Sequence, residues 1–195
     1  ILDRIRRALS DRVVETVGDP RLRASAVLVL VYPKDGSYSV LFNKRTDTVE
    51  FNKGEICFPG GAKDPEDPDL EATALREAHE EMGVRPGDVT ILGELDETTT
   101  RAGFVIHPFV GSIPYPYPFN VSSQEVAAVL EVPFSVLYDR RSVREEARVQ
   151  PGGQMSRTTN YACDSYLLFG ATARILTRLL ELVGGDERLK EALGA

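Results

Sequence analysis

Glu77, Glu80 and Glu81 stand at i, i+3 and i+4 in the stretch Arg76-Glu77-Ala78-His79-Glu80-Glu81-Met82-Gly83-Val84. On a helix this spacing gathers three carboxylates within an arc of about 100°, with Leu75, Ala78 and Met82 roughly opposite and able to face a core. A solvated helix face normally interleaves cations four residues on, but the residues four beyond Glu77 and Glu80 are Glu81 and Val84. Like charges so placed repel by roughly 0.2–0.5 kcal/mol per pair. Glu80 and Glu81 also fall in the last turn, where the helix dipole disfavours anions. The spacing is compatible with a solvated acidic face or with hard oxygen ligands for Mg²⁺ or Mn²⁺. Just upstream, Phe58-Pro59-Gly60-Gly61 ends a strand with two glycines, which let the backbone approach a ligand and offer a carbonyl to a metal shell.

The elements that must position these groups follow from patterning. Asp67 or Asp69 caps the acidic helix, with Pro68 in its first turn and Gly83 just past its end. Residues 3–17 read as an amphipathic helix ending at Gly18-Asp19-Pro20. The Val- and Leu-rich run Ala24 to Tyr32 reads as a buried strand, and Pro33-Lys34-Asp35-Gly36 as the turn to a returning strand, Ser39 to Lys44. Glu55 to Phe58, Val89 to Leu95, Phe104 to Ile113 and Val126 to Val132 are further strands. Val143 to Val149 and Thr159 to Leu168 form a pair joined by Gln150-Pro151-Gly152-Gly153, and Ala171 to Val183 is a closing helix. Pro114-Tyr115-Pro116-Tyr117-Pro118 is either a rigid surface loop or a pocket wall. The expectation is an α+β fold, an α/β/α sandwich around a mixed sheet. A single domain spans 1–195, with a helical extension at 1–20 and helices at 168–195.

Gly61, a loop and helix start, then Arg-Glu-x-x-Glu-Glu-x-Gly-Val resemble the Nudix box of the Nudix hydrolases. One residue more than the standard spacing separates Gly61 from Arg76, and Asp67 or Glu66 stands near the usual first glutamate. That longer spacing is similar to the coenzyme A pyrophosphatase branch. Phe58-Pro59-Gly60-Gly61, Asp64-Pro65-Glu66-Asp67, Leu92-Gly93-Glu94-Leu95, Glu125-Val126-Ala127 and Gly170 to Leu176 resemble the same branch, so the likeness runs from about Ala24 to Leu180. It implies Mg²⁺- or Mn²⁺-dependent cleavage of a nucleoside diphosphate derivative. Glu77 and Glu81 would be the principal metal ligands, Glu80 a third, and the Gly61 carbonyl a further donor. Arg76 would pair with a carboxylate and fix its rotamer. The base would be a box glutamate, such as Glu77 or Glu80, or the more distant Glu125. Arg45, Lys44, Phe58 and Gly60 would contact substrate. Coenzyme A, cleaved to phosphopantetheine and adenosine bisphosphate, is the leading substrate. ADP-ribose, NADH, a dinucleoside polyphosphate, or a non-catalytic sensing role are the alternatives. The branch also carries an arginine where this chain has Glu50, which would repel the 3′-phosphate of coenzyme A.

Composition narrows the classes. Among 195 residues, 23 Lys and Arg stand against 30 Asp and Glu, a net charge of −7 with no basic stripe, which argues against a nucleic-acid partner. A hydrophobic share of 42% can build a core, and no apolar run approaches the roughly 20 residues needed to span a bilayer, so no membrane partner is expected. Cys57 and Cys163 suit neither a disulfide framework nor a zinc site and read as buried free thiols. His79 and His107 read as structural. The expectation is a cytoplasmic monomer or homodimer acting on a small nucleotide.

Overall fold

The computed structural model describes residues 2–48, 53–149 and 152–184. The Asp35-Gly36 turn, with both residues at positive φ (50° and 79°), joins β1 (Arg23–Lys34) to β2 (Ser37–Arg45) as a tight antiparallel hairpin. Short β3 (Ile56–Cys57) pairs with the end of β2, and β4 (Gly60–Ala62) pairs with β1. The helix α2 (Leu70–Met82) follows, then β5 (Thr90–Glu94), β6 (Thr98–Thr99) and β7 (Phe104–Ser112). Strand β7 runs parallel to β1, and β8 (Val126–Pro133) lies antiparallel along β2. Strands β1 to β8 thus make one mixed sheet.

The apolar run in β1 is uninterrupted because both its faces are covered. Ala26, Leu28, Leu30 and Tyr32 pack with Ala74, Ala78 and Met82 of α2. Val29 and Val31 pack on the other side, with Ile5 and Leu9 of α1 (Leu2–Ser10) and Ala173, Leu176 and Leu179 of α4 (Gly170–Gly184). This is the α/β/α sandwich expected. A short α3 (Phe134–Tyr138) and a second antiparallel sheet of β9 (Val143–Val149), β10 (Met155–Cys163) and β11 (Tyr166–Leu168) complete the described elements.

Several elements differ from the sequence reading. The N-terminal helix stops at Ser10 rather than running to residue 17. Beyond it the backbone is spent on other partners: Glu15 N donates to Asp96, Val17 N to Glu97, and the Arg12 guanidinium pairs with Asp96. Gly60 and Gly61, read as a break, form β4 instead, opposite Val27 and Ala26. A Cβ on Gly60 would lie 2.4 Å from the Ala26 carbonyl oxygen, so only glycine permits that approach. The strand expected over 159–168 is two strands, broken at Asp164 with φ 52°. The residues 150 and 151 of the connecting turn and residues 185–195 of the expected C-terminal helices lie outside the described residues.

Candidate active site

Helix α2 is closed at both ends. The Asp69 side chain accepts from Ala72 N at the start, and Gly83 takes the left-handed conformation (φ 70°, ψ 18°) at the end. The last carbonyls are then met from outside, where Asn120 N donates to Met82 O and Ser122 N to Glu81 O. The proline-tyrosine loop serves this packing. Tyr115 stacks on Tyr32 with centroids 5.4 Å apart, and Tyr117 donates to Asp88. It is a support for the helix end and the loop that carries Glu125.

Of the two acidic residues near the usual first glutamate, Asp67 takes the structural role. Its two oxygens accept from Arg76 Nε and Nη2, each at 3.0 Å, and one also accepts from Asp64 N and Thr73 Oγ1. Those donors, Arg76 foremost, hold the Asp67 carboxyl well below the usual carboxylate range. Anchored so, Arg76 turns Nη1 onto Glu77 at 2.9 Å and Glu80 at 3.0 Å. The expected pairing of Arg76 with a carboxylate is present, threefold.

The three helix carboxylates do not share one environment. Glu80 is 53% exposed, Glu77 16% and Glu81 1%. Glu81 lies under the end of β2: Asn43 Nδ2 donates to its Oε2 at 2.8 Å, Gly60 N to the same oxygen at 3.2 Å, and Arg45 Nη1 to Oε1 at 3.2 Å. Burial, with smaller contributions from Glu77 and Glu125, pushes its carboxyl up to about 7 against the pull of Arg45 and Gly60. Burial also raises Glu77, opposed by Arg76.

Strand alternation separates the residues expected to bind substrate. Asn43 and Arg45 project towards Glu81, whereas Lys44 lies on the opposite face with Nζ 5.6 Å from the Tyr166 ring centre. Lys44 and Arg45 therefore do not act together. Phe58 is a core residue, 2% exposed and packed on Phe42 at 4.8 Å, so it has no surface to offer a substrate. Gly60 acts through its N–H on Glu81. Glu125 is half-buried, and its loop is tied to the end of β2 by Thr46, the residue after that strand, whose N–H donates to Glu125 O. Its charge is felt at both Glu77 and Glu81. His107 sits between Glu94 at 2.9 Å and Glu97 at 3.3 Å, a pair apart from the three helix carboxylates, and His79 is exposed. Cys163 is buried, while Cys57 is half-buried with its thiol 2.7 Å from Asn43 Oδ1. Glu50 lies outside the described residues. Sequence reasoning assigns no role to Asn43, which stands as a substitution in the branch's signature and whose side chain lies on Glu81.

A divalent cation fits this arrangement in two respects. Glu81 is buried and Glu77 half-buried, and burial disfavours the charged form of each. Neighbouring carboxylates add to this, Glu77 and Glu125 acting on Glu81 and Glu80 and Glu125 on Glu77, a deficit that a cation would relieve. The absence of a side chain at Gly61 lets the Glu77 carboxylate pack directly against that backbone, where a Cβ would come within 2.5 Å of it, so carboxylate and backbone carbonyl are close neighbours. Glu77, Glu81 and the Gly61 carbonyl are the groups that would hold the ion. Among the described residues no three acidic, histidine or cysteine side chains converge on one point, since Glu80 turns outward.

A model of the NUDIX domain matches residues 22–135, more than half the chain. The chain belongs to the Nudix family. It is 34% identical to the uncharacterized Nudix hydrolase NudL of Photorhabdus laumondii, across 83% of this chain and 85% of that protein. To the NudL of Enterobacter sp. strain 638 it is 36% identical, with 83% of each covered. Among solved structures, the Nudix hydrolase RenU of M. smegmatis superposes with a TM-score of 0.57 at 19% identity, covering 90% of this chain and 96% of that one. As a Nudix hydrolase the protein acts on pyrophosphate bonds, in a family that uses divalent metal ions. No helix among the described residues is long and apolar enough to cross a membrane.

Proposed function

We propose that this Nudix hydrolase cleaves the pyrophosphate of coenzyme A or a derivative, with Mg²⁺ or Mn²⁺ on Glu77, Glu81 and the Gly61 carbonyl and Glu80 at the rim. The observation that carries the reading is the burial of Glu81 beneath Arg45 beside Glu77. A bound divalent ion would neutralise phosphate oxygens and acidify water for in-line attack. The chain supplies the rest. Arg76, anchored by Asp67, fixes the Glu77 rotamer. Arg45, partly exposed and paired with Glu81 through Nη1, is the guanidinium beside the site that a phosphate oxygen would meet. Glu125 takes the proton of the attacking water, its loop held by β2 and by the capped end of α2.

Support for coenzyme A comes from the Phe58 to Gly61 stretch, the longer box spacing and Arg45. Glu50, in place of an arginine, favours a second reading, a nucleotide lacking the 3′-phosphate, such as ADP-ribose, NADH or a dinucleoside polyphosphate. Comparing kcat/KM for coenzyme A and 3′-dephospho-coenzyme A tests both. Activity on both is expected, with no advantage for the 3′-phosphorylated form. A strong preference for that form would mean that Glu50 does not face the 3′-phosphate. Turnover of neither, with activity on the other nucleotides, would overturn the coenzyme A reading.

A further inference from the structure

The two oxygens of Glu81 are held differently. Oε2 receives two neutral donors, Asn43 Nδ2 at 2.8 Å and Gly60 N at 3.2 Å, whereas among the described residues Oε1 receives only the Arg45 cation, at 3.2 Å. The neutral donors set the plane of the carboxylate without adding charge that would compete with a metal. Gly60 is constrained by the β4 ladder, but Asn43 acts through its side chain and must itself be oriented. Its backbone is flanked on both edges of β2, opposite Cys57 of β3 and Val129 of β8, and the residue is fully buried. An amide can present either its oxygen or its nitrogen to a neighbour, so orientation has to be set from the far side. The Cys57 thiol does this by donating to Asn43 Oδ1 at 2.7 Å. A thiol can donate only while protonated, and burial pushes Cys57 up to about 12.

We infer that Asn43 is a positioning residue for the metal-binding carboxylate, aiming Glu81 through Nδ2 while the Cys57 thiol keeps its amide from turning over. The inference rests on Glu81 being a metal ligand, as proposed above. Partners of this kind behind metal ligands are commonly worth 10- to 100-fold in affinity or activity. Asn43 touches neither the reacting atoms nor, in this account, the substrate. Its loss therefore lowers kcat and metal affinity and leaves KM for the nucleotide nearly unchanged.

The test measures Mn²⁺ affinity by electron paramagnetic resonance, together with kcat and KM, for Asn43→Leu, Cys57→Ala, Cys57→Ser and Glu81→Gln. Asn43→Leu, close in volume, is expected to weaken Mn²⁺ binding and lower kcat by roughly tenfold or more, with KM within about threefold of wild type. Cys57→Ala should lose severalfold in Mn²⁺ affinity, and Cys57→Ser, whose hydroxyl can donate to the same oxygen, should recover most of it. Should Asn43→Leu fold poorly, the Cys57 pair decides, because a purely structural thiol would not distinguish alanine from serine in Mn²⁺ affinity. Equal Mn²⁺ affinity for Cys57→Ala and Cys57→Ser, or a folded Asn43→Leu within twofold of wild type in both readouts, would overturn the positioning role while Glu81→Gln still loses the ion. Unaltered Mn²⁺ binding in Glu81→Gln would instead remove the metal-ligand reading, and this inference with it.

Discussion

Arg76 grips both oxygens of Asp67 at 3.0 Å and spends its remaining nitrogen on Glu77 and Glu80. One guanidinium thus ties the loop before α2 to two of the helix carboxylates, and Asp67 decides where it sits. Asp67→Asn should cost about 1–3 kcal/mol of stability, because the buried end of a charge-assisted pair is lost. It should also lower kcat severalfold, since an unanchored Arg76 would no longer hold the Glu77 rotamer. Thermal melting and steady-state kinetics on the folded variant check both effects.

The same pair makes a prediction about acid. Asp67 is held below its ordinary range, so its contribution is complete above the unfolded carboxylate value of about 3.9 and is lost only as pH falls further, through the lowered folded value. The stability gap between wild type and Asp67→Asn should be constant from pH 7 to pH 5 and shrink below about pH 4. A gap already closing between pH 6 and pH 5 would contradict the pair.

Glu81 carries the opposite sign. Its carboxyl is pushed up to about 7 by burial, so the folded protein holds a proton that the unfolded chain has released. In the presence of a chelator, the stability owed to this proton is present below the unfolded value of about 4.3 and is lost as pH rises to about 7. Melting of chelator-treated wild type against Glu81→Gln over pH 5–8 should show the wild type losing ground as pH rises. The variant should be the more stable of the two at pH 8, where it lacks the buried charge.

Glu125 stands close enough to raise both Glu77 and Glu81 and is tied to β2 through its carbonyl. If it takes the proton of the attacking water, Glu125→Gln should reduce kcat by roughly 10²-fold with little change in KM. A change confined to KM would place Glu125 in substrate binding and move the base to Glu77 or Glu80.

The layers of the fold and the helix that bears the site were legible because periodicity encodes them. The both-sided burial of β1 shows as an unbroken apolar run, and Ala78 and Met82 fall where a 3.6-residue repeat puts them. The carboxylate cluster was legible as spacing but not as environment. Glu80 at 53% exposure and Glu81 at 1% differ because β2 covers only one of them, a tertiary fact that helix geometry does not contain. Phe58 was read as a substrate contact from its place in the motif, yet its ring belongs to the core beside Phe42. Lys44 and Arg45 are adjacent in sequence and opposed in space, since successive strand residues face opposite ways. The contacts of Asn43 were not legible, for its partners Cys57 and Glu81 lie 14 and 38 residues away.

The central claim is that Glu81 holds a catalytic divalent ion for pyrophosphate cleavage. Turnover of Glu81→Gln at saturating Mg²⁺, on whichever nucleotide the wild type cleaves best, tests it most directly. The expected result is a fall of at least roughly 10²-fold in a variant that melts no lower than chelator-treated wild type at neutral pH. Near-wild-type turnover would contradict it and remove Glu81 from the site.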